Sequence, residues 1–169
     1  MTTLYVIRHA HADQTGAFAD KQRPLDDSGR IEARTISGRL VGAGIDYVLV
    51  SPAIRTQQTV RGLGLDLAED RIEPESRLYY GTTSDYIDCL RELPDDVGCA
   101  LLCGHNPSVA YLCRRLTDPE ESDLRAMMLI ETHFPTATCC HFEFDGPWAG
   151  LAEGTARLVE TLRVKLPKG

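Results

Sequence analysis

The chain has 169 residues, 43% of them hydrophobic, and carries 18 Lys and Arg against 25 Asp and Glu for a net charge of −7. That is the size and make-up of one globular domain, expected to span residues 1–169. It excludes two classes of partner: no Lys/Arg block offers the basic face that nucleic acid requires, and no apolar run approaches the roughly 18 to 20 residues of a membrane span.

In chain order, Thr3 to Ile7 is a short β-rich apolar run suited to a buried strand. Met1 to Ile7 is too short for a signal peptide and runs straight into Arg8 and His9, so a cytoplasmic location is expected. From about Asp27 to Ala43, Ala33, Ile36, Leu40 and Ala43 recur at helical steps, with Asp26 or Asp27 as N-cap and Gly42 and Gly44 near the end. Tyr47 to Val50 is the next strand, stopped by Ser51-Pro52, and a helix is expected from Ala53 to about Leu63. Arg77 to Tyr80 reads as strand or loop, and Ser84 as the cap of a helix reaching Leu93. Ala100 to Cys103 is a third strand broken by Gly104, with Pro107 in the first turn of the following helix, whose inward stripe is Val109, Leu112, Cys113 and Leu116. Asp118 to Asp123 reads as a solvated loop, Arg125 to Phe134 as a segment leading toward the site, and Thr138 to Phe144 as a strand. Thr155 to Leu166 stays open: Val159, Leu162 and Leu166 fit a helix, whereas Ala156, Leu158, Leu162 and Val164 fit a strand. The alternation predicts a three-layer α/β/α domain with a mostly parallel central sheet.

Three polar clusters each follow directly on a predicted strand: Arg8-His9-Ala10-His11, Ser51-Pro52-Ala53-Ile54-Arg55 and Gly104-His105-Asn106-Pro107. Parallel strands gather all three at one sheet edge, where ligands of such sheets bind. Two arginines and two histidines there suit a dianionic phosphoryl group, because guanidinium forks bind phosphate oxygens bidentately. Gly104 is expected to let the backbone come close. One imidazole, kept neutral by the guanidinium charges and held through one ring nitrogen by a backbone carbonyl, can attack phosphorus. The other, protonated or donating, can stabilise the transferring oxygens. Arginines supply the charge a Mg²⁺ would otherwise provide, so no metal or other cofactor is expected. The six cysteines (Cys89, Cys99, Cys103, Cys113, Cys139, Cys140) form no CxxC pair and read as reduced, buried thiols. His11 reads as lining the pocket mouth, Arg23 as a substrate contact or a partner of Asp26-Asp27, and His133 and His141 as loop and strand-surface residues.

The Arg8-His9-Ala10 start, Ser51-Pro52-x-x-Arg55-x-x-x-Thr59 and Gly104-His105-Asn106-Pro107 resemble the histidine phosphatase, or phosphoglycerate-mutase-like, superfamily. Arg23-Pro24-Leu25 with Gly29, and Phe134-Pro135-Thr136-Ala137, are similar to its small SixA-type branch of phosphohistidine phosphatases. The resemblance implies His9 as the phosphorylated nucleophile and Arg8, Arg55 and His105 as the phosphate pocket. It also implies a final C-terminal strand pairing with Thr138 to Phe144, joined to it by the Asp145-Gly146-Pro147-Trp148 loop. Mutase-type members carry a glutamate acid near Leu78-Tyr79-Tyr80, and acid-phosphatase members an aspartate where this chain has Asn106; neither acid is present. An alkoxide leaves poorly without a proton donor, whereas an imidazole, whose conjugate acid has a pKa of about 6.5, leaves readily. The expected substrate is therefore a phosphohistidine protein, with Asp85, Asp13 or water as the remaining proton sources. The alternatives are a phosphatase of a small phosphorylated metabolite, a non-catalytic phosphohistidine-binding module, and a metal protein using His9, His11 and a cysteine.

Overall fold

The computed structural model describes residues 1–165. Six strands form one sheet: β1 (Thr2–Arg8), β2 (Tyr47–Val50), β3 (Ile72–Pro74), β4 (Cys99–Gly104), β5 (Cys139–Phe144) and β6 (Arg157–Leu162), in the order β3-β2-β4-β1-β5-β6. The first four of that order run parallel, β5 runs antiparallel to β1, and β6 runs antiparallel to β5. Six helices cover the faces: α1 (Asp27–Arg39), α2 (Ile54–Gly62), α3 (Arg77–Tyr80), α4 (Thr83–Arg91), α5 (Ser108–Leu116) and α6 (Leu124–Thr132).

The alternation within each central strand builds three layers. Leu4 and Val6 of β1 join Ala100 and Leu102 of β4 in one core, closed by α4, α5 and Trp148. Tyr5 and Ile7 join Leu101 and Cys103 in a second core on the other face, closed by Ile36 of α1 and Val60 of α2. Strands buried on both sides read as unbroken apolar runs, which is why β1, β2 and β4 were visible in the sequence.

Several boundaries differ from expectation. Helix α1 stops at Arg39 rather than reaching Ala43, with Asp26 capping its start by accepting from Gly29 N at 2.8 Å. Thr82, not Ser84, caps α4, through a reciprocal box with Asp85. Arg77 to Tyr80 is a helical turn rather than strand or loop, and the short edge strand β3 went unforeseen. Residues 125–134 fall largely within α6, which packs Ala126 and Ile130 inward while Leu124 and Met128 face solvent. Apolar residues on both faces hide its helical period. The C-terminal segment is a strand, paired as the resemblance implied; Leu166, which entered the helical alternative, lies outside the described residues. Its mixed signal has a cause. Phe142 faces Leu158 while the adjacent His141 faces Glu160, so Val159 is an extra residue in the ladder. The bulge inverts the alternation and sends Leu158 to one core and Leu162 to the other. No described helix is long and apolar enough to cross a membrane.

Candidate active site

The carboxyl ends of β1, β2 and β4 bring Arg8-His9, Ser51 and Gly104-His105 to one edge. The antiparallel β5 starts there, so the Phe134 to Thr138 loop arrives at the same edge. His9 is buried, and its Nδ1 lies 2.7 Å from Ala10 O. A carbonyl only accepts, so Nδ1 carries the proton and Nε2 keeps its lone pair. The His9 backbone is held on both sides: its N–H donates to Gly104 O at 3.1 Å, and Ala137 N–H is shared between the carbonyls of Arg8 and His9. Ala137 adopts a left-handed φ of 57° to make that contact, at a cost of about 1 kcal/mol for a non-glycine residue.

The His9 and His105 rings are 5.3 Å apart. His105 Nδ1 is 3.3 Å from Arg55 Nη2, and its Nε2 is 2.7 Å from Ser51 Oγ. A guanidinium only donates, so Nδ1 accepts and Nε2–H is given to Ser51. Burial pushes His9 down to about 3 and His105 to about 4; beyond burial, His105 and the Arg55 and Arg8 guanidiniums lower His9, and Arg55 lowers His105. Both rings are neutral near pH 7. Burial, more than the arginines, keeps them so, and the protonated second histidine of the sequence argument is disfavoured.

Arg8 donates through Nη1 to Phe134 O at 2.9 Å, an acceptor it shares with Asn106 Nδ2. The Nε–H groups of Arg8 and Arg55 are buried without a protein acceptor. The structure thus brings His9, Arg8, His105 and Arg55 together. Thr59 belongs to the same assembly: its Oγ1 accepts from Ala10 N at 2.9 Å and donates to Arg55 O at 2.7 Å. Gly104 has a different reason from the one expected. A Cβ there would meet Tyr86 Oη at 2.6 Å, so the glycine makes room for that ring, whose hydroxyl accepts from His105 N–H.

Arg23 pairs with neither Asp26 nor Asp27; it binds Asp20 and the Asp13 carbonyl. Sequence reasoning missed Asp20. It opens a 3-10 turn, Asp20–Gln22, and its carboxylate accepts from Arg55, Arg23 and the Tyr79 hydroxyl, the last at 2.7 Å. Its backbone carbonyl takes Arg55 Nη1 at 2.6 Å. Those hydrogen bonds, Tyr79's foremost, hold the Asp20 carboxyl down at about 2. Nothing in the sequence marks Asp20 apart from other loop aspartates.

His11 is paired with Asp26, its Nδ1 2.5 Å from Asp26 Oδ2, while its backbone N–H donates to the buried Glu32 at 2.7 Å. Glu32 also accepts from Thr136 Oγ1 at 2.9 Å and was likewise missed. His141 is half-buried, stacked on Tyr5 at 4.7 Å, and exposed His133 ends α6. All six cysteines are buried and free. Among the described residues, no three His, Cys, Asp or Glu side chains gather as a metal ion would require.

The family model of the histidine phosphatase superfamily (branch 1) matches residues 4–79. Phosphohistidine phosphatase SixA of Escherichia coli is 32% identical over 124 residues, covering 69% of this chain and 75% of that protein. The chain belongs to the histidine phosphatase superfamily. An uncharacterised protein of Mycobacterium tuberculosis is 31% identical over 155 residues, covering 90% of this chain and 96% of its own length. A structure assigned as phosphohistidine phosphatase SixA from Nakamurella multipartitia superposes with a TM-score of 0.85 at 27% identity, covering 96% of this chain and 95% of that one. The superfamily's phosphoglycerate-mutase-like fold and phosphatase class hold for this chain.

Proposed function

We propose that this phosphatase hydrolyses phosphohistidine on proteins, with His9 as the group that accepts the phosphoryl. The observation that carries the reading is the His9 ring: Nδ1–H is held by the Ala10 carbonyl, burial keeps the ring neutral, and Nε2 is left as the nucleophilic lone pair. Nε2 attacks phosphorus in line as the substrate P–N bond breaks; the substrate ring, protonated from solvent on its other nitrogen, departs as neutral imidazole, and water then cleaves the P–Nε2 bond to give phosphate and neutral His9. Arg8 and Arg55 hold the equatorial oxygens, using the Nε–H groups that find no acceptor within the protein. When a phosphoryl oxygen takes the place of His105 Nδ1 as acceptor for Arg55, the His105 proton moves to Nδ1 and is given to that oxygen. Ser51 Oγ serves either tautomer, since a hydroxyl both donates and accepts.

The leaving group follows from which acids are occupied. Asp20 is anionic at every working pH and gives no proton. Asp85 is tied into the cap of α4, and Asp13 accepts from Thr15 in a loop turn. Asn106 spends its amide on the Phe134 carbonyl. With no acid in reserve, an imidazole leaving group is favoured over an alkoxide. The similarity to SixA of Escherichia coli supports the same substrate class. We place the protein in the cytoplasm, where six free thiols stay reduced, and treat residues 1–169 as one domain.

The test is to trap phosphate on His9 during turnover by acid-labile labelling and mass spectrometry. Hydrolysis of a phosphohistidine protein is then compared with that of a sugar phosphate. Label on His9, loss of turnover in His9→Ala and preference for the P–N bond are expected; label elsewhere, or preference for the ester, overturns the reading.

A further inference from the structure

Beside His105 lies a group of side chains that the chemistry above leaves unused. The Tyr79 ring meets His105 edge-on at 5.5 Å and Tyr80 edge-on at 4.7 Å. Lys21 Nζ lies 5.4 Å from the centroid of each tyrosine ring. Tyr79 is pinned by its hydroxyl to Asp20, in the same 3-10 turn as Lys21, so the rings and the ammonium are fixed to the catalytic edge itself. Tyr80 is nevertheless 73% exposed, and Phe18, two residues before Asp20, is 46% exposed. Among the described residues Lys21 has no carboxylate partner, although the chain as a whole is acidic.

Single exposed aromatics are ordinary on a protein surface. Here Tyr80 adjoins the site through Tyr79, and both rings lie beside a cation. A rigid tyrosine with two side-chain torsions loses little entropy on contact, and such residues anchor protein interfaces. Tyr80 meets Tyr79, which in turn meets His105, so it stands one ring further out from the site than Tyr79. A folded protein that projects a phosphorylated histidine into that site must lay the surrounding surface over its rim. We propose that Tyr80 and Lys21, backed by Tyr79, form the docking platform for the phosphoprotein substrate. The matching surface is apolar, with an acidic side chain facing Lys21. The inference rests on the phosphohistidine reading and adds to it the residues that choose a protein over a small molecule.

The experiment compares wild type with Tyr80→Ala, Lys21→Ala and the double variant on two kinds of substrate. One is free phosphohistidine; the other is a pair of unrelated small proteins, each phosphorylated with phosphoramidate on a surface histidine. The double variant is expected to lose roughly tenfold in kcat/KM on the proteins, the weight of a modest interface anchor, while free phosphohistidine is turned over as before. Raising salt should slow the wild-type reaction on the proteins, and slow Lys21→Ala less. Equal effects on both kinds of substrate, or no effect on the proteins, overturns the platform and leaves the proposed function standing; a wild type that cleaves only free phosphohistidine overturns the platform and the protein substrate together, leaving P–N bond hydrolysis. A wild type that cleaves neither overturns the phosphohistidine reading, and the platform falls with it.

Discussion

Burial of two neutral imidazoles makes the fold sensitive to mild acid, and the size of the effect follows from the structure. His9 is held at about 3 and His105 at about 4 in the folded chain, whereas both return to about 6.5 on unfolding. Between those limits the unfolded chain binds more protons, so stability falls as pH falls and is fully present only above about 6.5. From pH 7 to pH 5 the folded rings stay almost entirely neutral while the unfolded ones become charged, which removes about 2 kcal/mol per ring and about 4 for the pair. Other groups titrate in the same range, among them His141, which burial also lowers. Wild type is therefore compared with a His9→Gln/His105→Gln double variant, in which only these two rings are lost. Urea unfolding at fixed ionic strength, at pH 7 and at pH 5, gives the two changes in stability. The double variant should lose about 4 kcal/mol less than wild type over that interval. Parallel losses would show that the rings are not held neutral by burial, and the nucleophilic state assigned to His9 would go with that result.

Two further expectations concern carboxylates that the structure brought to light. In Asp20→Asn the Arg55 guanidinium loses an anionic partner held at 3.1 Å, so orthovanadate, a phosphoryl mimic, should inhibit several-fold more tightly. Weaker inhibition would mean that Asp20 orients Arg55 for the substrate rather than competing with it. Glu32→Ala leaves the His11 N–H and the Thr136 hydroxyl without their acceptor and should cost about 2–4 kcal/mol in urea unfolding; a loss below about 1 kcal/mol would show that solvent replaces the carboxylate at no strain.

What could be read from the sequence was what lies next to a strand end. Arg8 ends a strand, His9, Ser51 and His105 each come directly after one, and a parallel sheet leaves such residues few places to go. Arg55 was legible through its distance from Ser51 along the start of α2. Asp20 and Tyr79 were not, because their roles depend on where two surface segments, 59 residues apart, happen to meet. Helix α6 and strand β6 were obscured by local exceptions to periodicity, an apolar outer face in one and the Val159 bulge in the other.

The motifs also divide in a way that spacing does not reveal. Some of their residues gather around the His9 and His105 rings; others hold the His9 loop still. A Cβ on Gly29 would lie 2.0 Å from the His11 carbonyl oxygen, so the start of α1 packs directly on the backbone just beyond His9. Leu25 pairs with Ala12 on that same backbone, Thr59 takes the Ala10 N–H, and Ala137 takes the Arg8 and His9 carbonyls. The in-line attack proposed for His9 tolerates little error in position. A short loop between a strand and open surface cannot supply that rigidity alone. Leu25, Gly29 and Ala137 thus brace the His9 backbone, whereas Arg23 reaches Asp20 and the Asp13 carbonyl.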